Sequence, residues 1–350
     1  MDLTEAREKA REGMKGFCAV YKVCDGEPER LCQGIKYGKP LGMGGIGQGI
    51  SFTANVEALN RLKLKTHLIT SHADPDMKAS FLGKEVAFPI FSSSMSGVKI
   101  SMGGAISELD FARALIQGCK AAGTIGFIGD GAETFEDRPG IQAIQEAGGS
   151  GVQIFKPREQ KVLLRLIREA EKAGALAVGV DVDGAGSVAM ALKGQPVFRK
   201  SIAELKELVQ STPLPFILKG VTSEEDAEAS LETGCKVVSI SNHGGRVLDS
   251  MRGIAEILPR LVSILKGKVT ITADGGIRTG FDVLKMLGLG ADFVLVGREM
   301  IRAAMGGGAE GVRAEMEFLS SDLRKAMIMT SCTRLADINE RIFSKPIQAD

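Results

Sequence analysis

The chain has 350 residues, of which 44% are hydrophobic and 25% charged, a composition that excludes a disordered or fibrous protein. Its formal net charge of +1 provides no general field for nucleic acid or an anionic membrane, so we expect neither as a partner. No apolar run reaches the roughly 18 residues of a membrane span, and the N-terminus lacks the apolar core of a signal peptide. We therefore expect a cytoplasmic protein.

Residues 1–85 are predicted to form an N-terminal extension. They begin with a charged, amphipathic helix former, and the run TANVEALNRLKL at 53–64 predicts a second helix. The glycine-rich stretch Gly38–Gly49 follows no obvious strand. This context argues against a dinucleotide-binding fingerprint and indicates a loop.

Three cysteines of this extension, Cys18, Cys24 and Cys32, are separated by five and seven residues. Thiolates that hold an iron–sulfur cluster often follow one another at intervals of about two or three residues. We therefore interpret the three as free thiols in a reducing compartment, with a metal or redox site as the alternative. No metal ligand is predicted.

From residue 86 onward, short apolar or β-branched runs alternate with amphipathic helical patterns such as those at 160–173 and 223–233. Such an alternation predicts a parallel sheet covered by helices, and eight evenly spaced units favour a closed (β/α)8 barrel over a doubly wound sheet. We place the barrel at 86–338 and a C-terminal tail at 339–350. The predicted strands lie at 88–94, 123–129, 151–156, 177–183, 215–220, 237–244, 269–276 and 292–298.

Polar side chains cluster where these strands end, and the carboxyl ends of barrel strands form the active-site rim in this architecture. The polar residues at the predicted rim are Ser94, Asp130, Lys156, Asp181, Asp183, Lys219, His243, Asp274, Arg278 and Arg298.

His243 is the leading candidate for a catalytic base. The chain has three histidines, and the other two, His67 and His72, lie in the extension, where a surface position is the default. A histidine at the rim can accept a proton near neutral pH. Arg246, three residues further on, could hold a carboxylate in a bidentate manner, with a surface pair to Asp249 as the alternative.

Lys219 ends an otherwise apolar strand, where a charge is costly unless it faces a ligand or an anion. We therefore expect Lys219 to face a ligand. The alternatives are a lysine that forms a Schiff base and one that forms only a salt bridge. The last two strands carry a phosphate-site pattern: the turn Asp274–Gly280 precedes a helix, and Gly297 and Arg298 end the final strand. Backbone N–H groups after the last two strands form the usual phosphate pocket of such barrels.

The segments SNHGGRVLD, TADGGIRTGFDVLKMLGLGADFVLVGR and LKGVTSEEDA resemble the FMN-dependent α-hydroxy-acid oxidase and dehydrogenase family, which includes glycolate oxidase. The resemblance extends from about Pro89 to Leu335. It implies FMN as cofactor, His243 as the proton-abstracting base, Asp183 as its partner and Arg246 as an anchor for the substrate carboxylate. Lys219 is similar to the lysine that stabilises reduced flavin. The residues expected to bind the cofactor are Ser94, Gln153, Lys219, Ser241, Asp274, Gly276, Arg278, Gly297 and Arg298.

The chain also departs from the family pattern. Phe155 replaces a substrate-binding tyrosine, and Asp181 replaces a threonine near the flavin. The run 184–187, Gly-Ala-Gly-Ser, replaces a segment that carries a second carboxylate-binding arginine, for which Arg199 or Lys200 could substitute. A further tyrosine of the N-terminal segment has Tyr21 and Tyr37 as its only candidates.

These observations predict an FMN-dependent oxidoreductase that oxidises a hydroxylated carbon, as in a 2-hydroxy acid. One alternative is a non-redox flavoenzyme resembling type 2 isopentenyl-diphosphate isomerase. Another is a non-catalytic flavin-binding subunit of an electron-transfer assembly. The resemblance also implies a small-molecule substrate and a homo-oligomer, a tetramer or octamer.

Overall fold

The computed structural model describes residues 1–13 and 45–344. The N-terminal region contains helix α1 (Leu3–Gly13), helix α2 (Ile50–Arg61) and a hairpin of strands β1 (Ala79–Phe81) and β2 (Lys84–Val86). The helix expected at 53–64 therefore begins and ends three residues earlier. Some residues named above lie outside the described ranges, namely Cys18, Tyr21, Cys24, Cys32, Tyr37 and most of the stretch Gly38–Gly49.

Eight parallel strands form the predicted barrel. Seven of the eight runs found in the sequence contain a whole strand, and the strand of the run 215–220 extends one residue beyond it, to Val221. The strands are β3 (Ile90–Ser92), β4 (Gly126–Ile128), β5 (Gly151–Phe155), β6 (Ala177–Asp181), β7 (Phe216–Val221), β8 (Val237–Ile240), β9 (Thr270–Ala273) and β10 (Phe293–Val296). Neighbours along the sheet are hydrogen-bonded in the order β3-β10-β9-β8-β7-β6-β5-β4.

Helices surround the barrel. The helix α6 (Gln160–Lys172) has buried residues at helical spacing, namely Leu163, Leu166, Ile167 and Ala170, as expected for an amphipathic helix on a sheet. The helices after β3 are α3 (Val98–Ser101), α4 (Glu108–Ala121), α5 (Pro139–Glu146), α6 (Gln160–Lys172), α7 (Val188–Leu192), α8 (Ile202–Gln210), α9 (Glu224–Thr233), α10 (Ile254–Leu265), α11 (Gly280–Gly288) and α12 (Arg298–Met329). Short 3-10 turns occupy Val182–Gly186, Leu335–Asp337 and Glu340–Ile342.

The seam between β3 and β4 is closed through a side chain. The Ser92 hydroxyl donates to the Phe127 carbonyl at 3.0 Å and accepts from the Phe127 N–H at 2.9 Å. One serine thus satisfies both backbone groups of a strand that has no ladder partner on that side.

An aromatic cluster plugs one end of the barrel. Phe81 of the hairpin packs against Phe91 and Phe293, with ring centroids 4.9 and 5.1 Å apart, and all three are buried. The hairpin therefore blocks this end, and the cavity described below opens at the opposite end, where the strands finish.

The predicted N-terminal extension and the predicted C-terminal tail contact each other through their backbones. Leu64 bridges to Phe343, and the Lys65 N–H donates to the Ile342 carbonyl at 2.8 Å. The division into 1–85, 86–338 and 339–350 stays a prediction. In the described ranges no helix is long and apolar enough to cross a membrane.

Candidate active site

A cavity of about 380 Å³ opens at the carboxyl ends of the barrel strands. Every one of the eight strands, or the loop that follows it, contributes to its wall. The polar residues that line it include Ser93, Ser94, Lys156, Asp181, Lys219, His243, Arg246, Asp274 and Arg298. The sequence-based expectation of one polar rim therefore corresponds to one enclosed space.

A tight turn after β8 presents His243 to this cavity. His243 has a left-handed backbone, with φ 58°, and its N–H donates to the Ser241 hydroxyl at 3.0 Å. The Gly245 N–H returns to the Asn242 carbonyl at 2.9 Å, which closes the turn. A non-glycine residue in this region costs on the order of 1–3 kcal/mol, and such strain is typical of functional sites.

The His243 ring bridges two carboxylates and one amine. Its Nδ1 lies 3.2 Å from Asp183 Oδ1 and 3.4 Å from Asp181 Oδ2, and its Nε2 lies 3.4 Å from Lys156 Nζ. Burial lowers the pKa of His243 well below its ordinary value, and Lys156 also disfavours the charged ring. A neutral ring that donates from Nδ1 leaves Nε2, on the Lys156 side, as the proton-accepting atom.

The two carboxylates beside His243 differ in charge. Burial opposes ionisation of Asp181, yet the nearby His243 and Lys156 hold its pKa well below the ordinary value. Burial and the adjacent Asp181 raise the pKa of Asp183 well above the ordinary value. Gly220, with φ 96°, makes this packing possible, because a Cβ there would lie 2.5 Å from Asp183 Cγ. The pair therefore carries about one negative charge, centred on Asp181.

Lys219 is almost fully buried among acidic partners. Its Nζ lies 3.1 Å from Ser241 Oγ, 3.5 Å from Asp181 Oδ1 and 3.8 Å from Asp274 Oδ2. Burial opposes the charge, but Asp181 and Asp274 outweigh it and raise the pKa of Lys219 above its ordinary value. A permanently charged ammonium is a poor nucleophile, which argues against a Schiff base.

The predicted phosphate pocket lies between the turn after β9 and the start of α12. Gly276 has φ 83°, and Gly297 caps α12 without a side-chain hydrogen bond. Arg298 donates to the Gly244 carbonyl at 2.9 Å, and its guanidinium lies 4.3 Å from the centre of the Phe52 ring. Arg278 pairs with Glu299, with Nε and Oε1 3.1 Å apart. The cavity wall thus contains a helix N-terminus beside an arginine, which is a common anion site.

Arg246 also faces the cavity. Its Nη2 donates to the Ser101 hydroxyl at 3.2 Å, at the end of α3. Ser94 lines the cavity too, and its buried hydroxyl has no hydrogen-bond partner among the described residues.

The structure does not bring Gln153 into the cavity. Its amide donates to the Ile128 and Ile154 carbonyls, and Phe155 belongs to the core outside the barrel. Side chains alternate along a strand, so Ile154 and Lys156 line the cavity instead. The expectation that Gln153 contacts the cofactor has no support from this geometry.

Neither proposed substitute for the second arginine reaches the cavity. Arg199 is exposed, and Lys200 pairs with Gln160 and Glu204 at 3.2 and 3.5 Å. Lys156 and Asp181 do reach it. For Lys156, its position at the end of a predicted strand was the only feature of the sequence that indicated this.

Asp130, also predicted at the rim, lines the cavity and at the same time supports the residues beside it. It accepts from Arg158 Nε and Nη2 at 2.9 and 2.8 Å and from the Lys156 N–H at 2.5 Å. This buried pair fixes the backbone from which Lys156 extends.

Comparison with known proteins agrees with this geometry. The family model described as FMN-dependent dehydrogenase matches residues 42–195 and 187–345. Human 2-hydroxyacid oxidase 1 is 27% identical over 334 residues, covering 83% of this chain and 87% of the human protein. A 2-hydroxyacid oxidase of Dictyostelium discoideum is 29% identical over 332 residues, covering 85% and 83%.

Solved structures show the same fold. A crystal structure of mandelate oxidase superposes with a TM-score of 0.73 at 27% identity, covering 86% of this chain and 91% of the oxidase. A flavocytochrome b2 variant gives a TM-score of 0.74 at 27% identity, covering 86% and 80%.

The donor set fits a flavin mononucleotide. The buried, unpartnered Ser94 hydroxyl faces the cavity, and Lys219, Ser241 and Asp274 form a connected polar floor, with the Ser241 hydroxyl donating to Asp274 at 2.7 Å. The N-terminus of α12 and Arg298 suit a phosphate. With the family model spanning most of the sequence, the chain belongs to the FMN-dependent dehydrogenase family and is an FMN-dependent oxidoreductase.

Proposed function

We propose that this protein oxidises the hydroxylated carbon of a small 2-hydroxy acid, with His243 as the base. One observation carries the proposal: the His243 ring stands between the carboxylates of Asp181 and Asp183 and a cavity suited to a flavin. The names of the relatives, 2-hydroxyacid oxidases and mandelate oxidase, support the substrate class. FMN, when bound, supplies the acceptor for the hydride equivalent that leaves the carbon.

His243 takes the proton in this scheme. Its Nε2 accepts the proton of the substrate, and the positive charge that forms on the ring faces Asp181, 3.4 Å from Nδ1. Asp183, 3.2 Å from the same nitrogen, holds the ring orientation. Such a positioned base contributes roughly 10²- to 10⁴-fold to the rate. Arg246 binds the substrate carboxylate through charge-assisted hydrogen bonds.

Other residues hold the cofactor. Lys219 places a fixed positive charge on the cavity floor, which favours a reduced, anionic flavin. The remaining residues that we propose to hold FMN are Ser94, Ser241, Asp274, Gly276, Arg278, Gly297 and Arg298.

Replacement of the base tests this proposal. We expect His243→Gln to remain folded and yellow but to lose at least about 100-fold of the anaerobic rate at which a 2-hydroxy acid bleaches the flavin. His72→Gln is the matched control, because His72 is an exposed histidine outside the cavity. Rapid bleaching in His243→Gln would overturn the assignment.

Neither alternative function is favoured by the relatives, which are hydroxy-acid oxidases by name. A non-redox isomerase would act on isopentenyl diphosphate when the protein is reduced, and a non-catalytic subunit would bind FMN without being bleached by any hydroxy acid. Both can be assayed on the same preparation.

We also propose a cytoplasmic location, on the basis of composition, and a homo-oligomer, a tetramer or octamer, on the basis of the family resemblance. We propose the domain division 1–85, 86–338 and 339–350 from the alternation of strand and helix patterns, which begins at residue 86. Light scattering during gel filtration measures the number of subunits. A monomer would contradict the assembly without affecting the proposed reaction.

A further inference from the structure

Lys156 occupies the substrate side of His243. It follows β5, and its side chain is 16% exposed. Its Nζ lies 3.4 Å from His243 Nε2 and 2.6 Å from Asp181 Oδ2. An ammonium group has only hydrogen-bond donors to offer. In this arrangement Lys156 therefore blocks His243 Nε2, the atom that must accept the substrate proton.

The loop after β6 leaves space for this lysine. A Cβ on Gly184 would lie 2.9 Å from Lys156 Cδ and 3.5 Å from its Nζ. Gly184, Gly186 and Ser187 all line the cavity. The small residues that replace the family's arginine segment thus make room for a cation from the neighbouring strand.

Asp181 does not depend on Lys156 alone. Lys219 Nζ lies 3.5 Å from its other oxygen and is itself almost fully buried. Lys156 can therefore move toward a second anion in the cavity while Asp181 keeps a positively charged partner. Arg246 lines the same cavity and provides a second cation for such an anion.

We propose that Lys156, together with Arg246, binds the carboxylate of the substrate and releases His243 Nε2 as it does so. The inference rests on the proposed function for the identity of the substrate. In a 2-hydroxy acid the carboxylate is attached to the hydroxylated carbon. A substrate whose hydroxyl reaches Nε2 therefore brings its carboxylate beside Lys156. Release of the base is then coupled to recognition of the acid group.

Equilibrium binding tests the carboxylate site without turnover. The oxidised, FMN-bound protein is titrated with oxamate, a carboxylate that it cannot oxidise as a hydroxy acid, and binding is followed by the visible flavin spectrum. We expect Lys156→Met to weaken oxamate binding roughly 10- to 100-fold, as for loss of a charge-assisted hydrogen bond. Lys156→Arg should retain most of the affinity. Lys161→Met, which removes an exposed lysine from the outer helix α6, should bind normally.

Substrate selectivity tests the release of the base. The ratio of kcat/KM for lactate to that for neutral lactamide should fall at least about tenfold in Lys156→Met, since only the acid gains from the lysine. The same ratio should not change in Lys161→Met. If Lys156→Met does not fold, Gly184→Ala serves instead, because its Cβ displaces Lys156 without changing any charge.

Four results separate the possible failures. Equal oxamate affinity in the unsubstituted protein and Lys156→Met would overturn the inference, as would absence of oxamate binding to the unsubstituted protein. An unchanged lactate-to-lactamide ratio would overturn the release of the base. Oxamate binding that depends on Lys156, without bleaching by any 2-hydroxy acid, would instead overturn the proposed function and leave a carboxylate site.

Discussion

Asp181 and Asp183 both approach Nδ1 of His243, but their surroundings give them different charges. Asp181 contacts Lys156 at 2.6 Å and Lys219 at 3.5 Å, whereas Asp183 is buried beside the charged Asp181. An ionised carboxylate stabilises an imidazolium, and a protonated one mainly orients the ring. The two residues should therefore respond differently to the same substitution.

We predict that Asp181→Asn lowers the anaerobic rate of flavin reduction by at least about 100-fold, because the protonated base loses its counter-charge. Asp183→Asn should stay within about threefold of the unsubstituted protein, because asparagine resembles the neutral carboxyl. Rapid mixing under anaerobic conditions measures both rates. Similar losses of rate in the two variants would contradict the different roles assigned to Asp181 and Asp183.

At the scale of elements, the barrel closes through Ser92 where the ladder of backbone hydrogen bonds is missing. Its hydroxyl serves both the N–H and the carbonyl of Phe127, at 2.9 and 3.0 Å, in a fully buried position. Leaving a buried backbone group without a partner costs about 1–3 kcal/mol. We therefore expect that removal of the Ser92 hydroxyl destabilises the folded protein at this seam.

Ser92→Ala is expected to lower the free energy of unfolding by about 1–3 kcal/mol, measured by urea denaturation of the FMN-bound protein. Ser239→Ala provides the control. Ser239 is equally buried, but its hydroxyl has no hydrogen-bond partner among the described residues. A loss in Ser239→Ala as large as that in Ser92→Ala would refute a specific role for the seam.

The strands could be predicted from the sequence, but the direction in which their side chains point could not always be predicted. In Gly151–Phe155 every residue is buried, because a barrel strand has apolar surroundings on both sides. A continuous apolar run does not reveal which alternate residues point inward. Gln153 is expected in the site only from the family resemblance, and the run itself could not test that expectation. Lys156 and Ile154 are two residues apart, so their side chains point to the same side of the strand, and both line the cavity. The polar residue at the strand end therefore indicates which alternate residues point inward.

The site itself could be predicted only in part, for a related reason. Parallel strands end at one rim, and this brings four of the predicted site residues together. They are His243, Lys219, Ser241 and Asp274. Contacts between side chains of different strands depend on distances that no local pattern contains. The approach of Lys156 to Nε2 is such a contact, since it depends on the space left by Gly184.

On the scale of the whole molecule, α1 contacts α12 through a partly buried ion pair. Arg7 lies 3.3 Å from Glu315, whose side chain is 1% exposed. Burial, together with Glu299, raises the pKa of Glu315 to about 7. The folded protein therefore favours the protonated carboxyl, and the associated stability is lost as pH rises from the ordinary value of 4.5 through about 7.

We predict that Glu315→Gln is more stable than the unsubstituted protein at pH 8, by no more than roughly 3 kcal/mol, and not at pH 5. The reason is that glutamine is neutral at both pH values. Urea denaturation at the two pH values measures the difference. Glu317→Gln is the control, because Glu317 is exposed on the same helix. Equal effects of Glu315→Gln at pH 5 and pH 8 would contradict the account of this contact.

Anaerobic reduction of the bound flavin tests the central claim most directly. The purified yellow protein is mixed, without oxygen, with a series of small 2-hydroxy acids and with the corresponding 2-keto acids. We predict that at least one hydroxy acid bleaches the flavin, that no keto acid does, and that His243→Gln prevents the bleaching while retaining FMN. An unsubstituted protein that keeps its oxidised spectrum with every hydroxy acid would contradict the account.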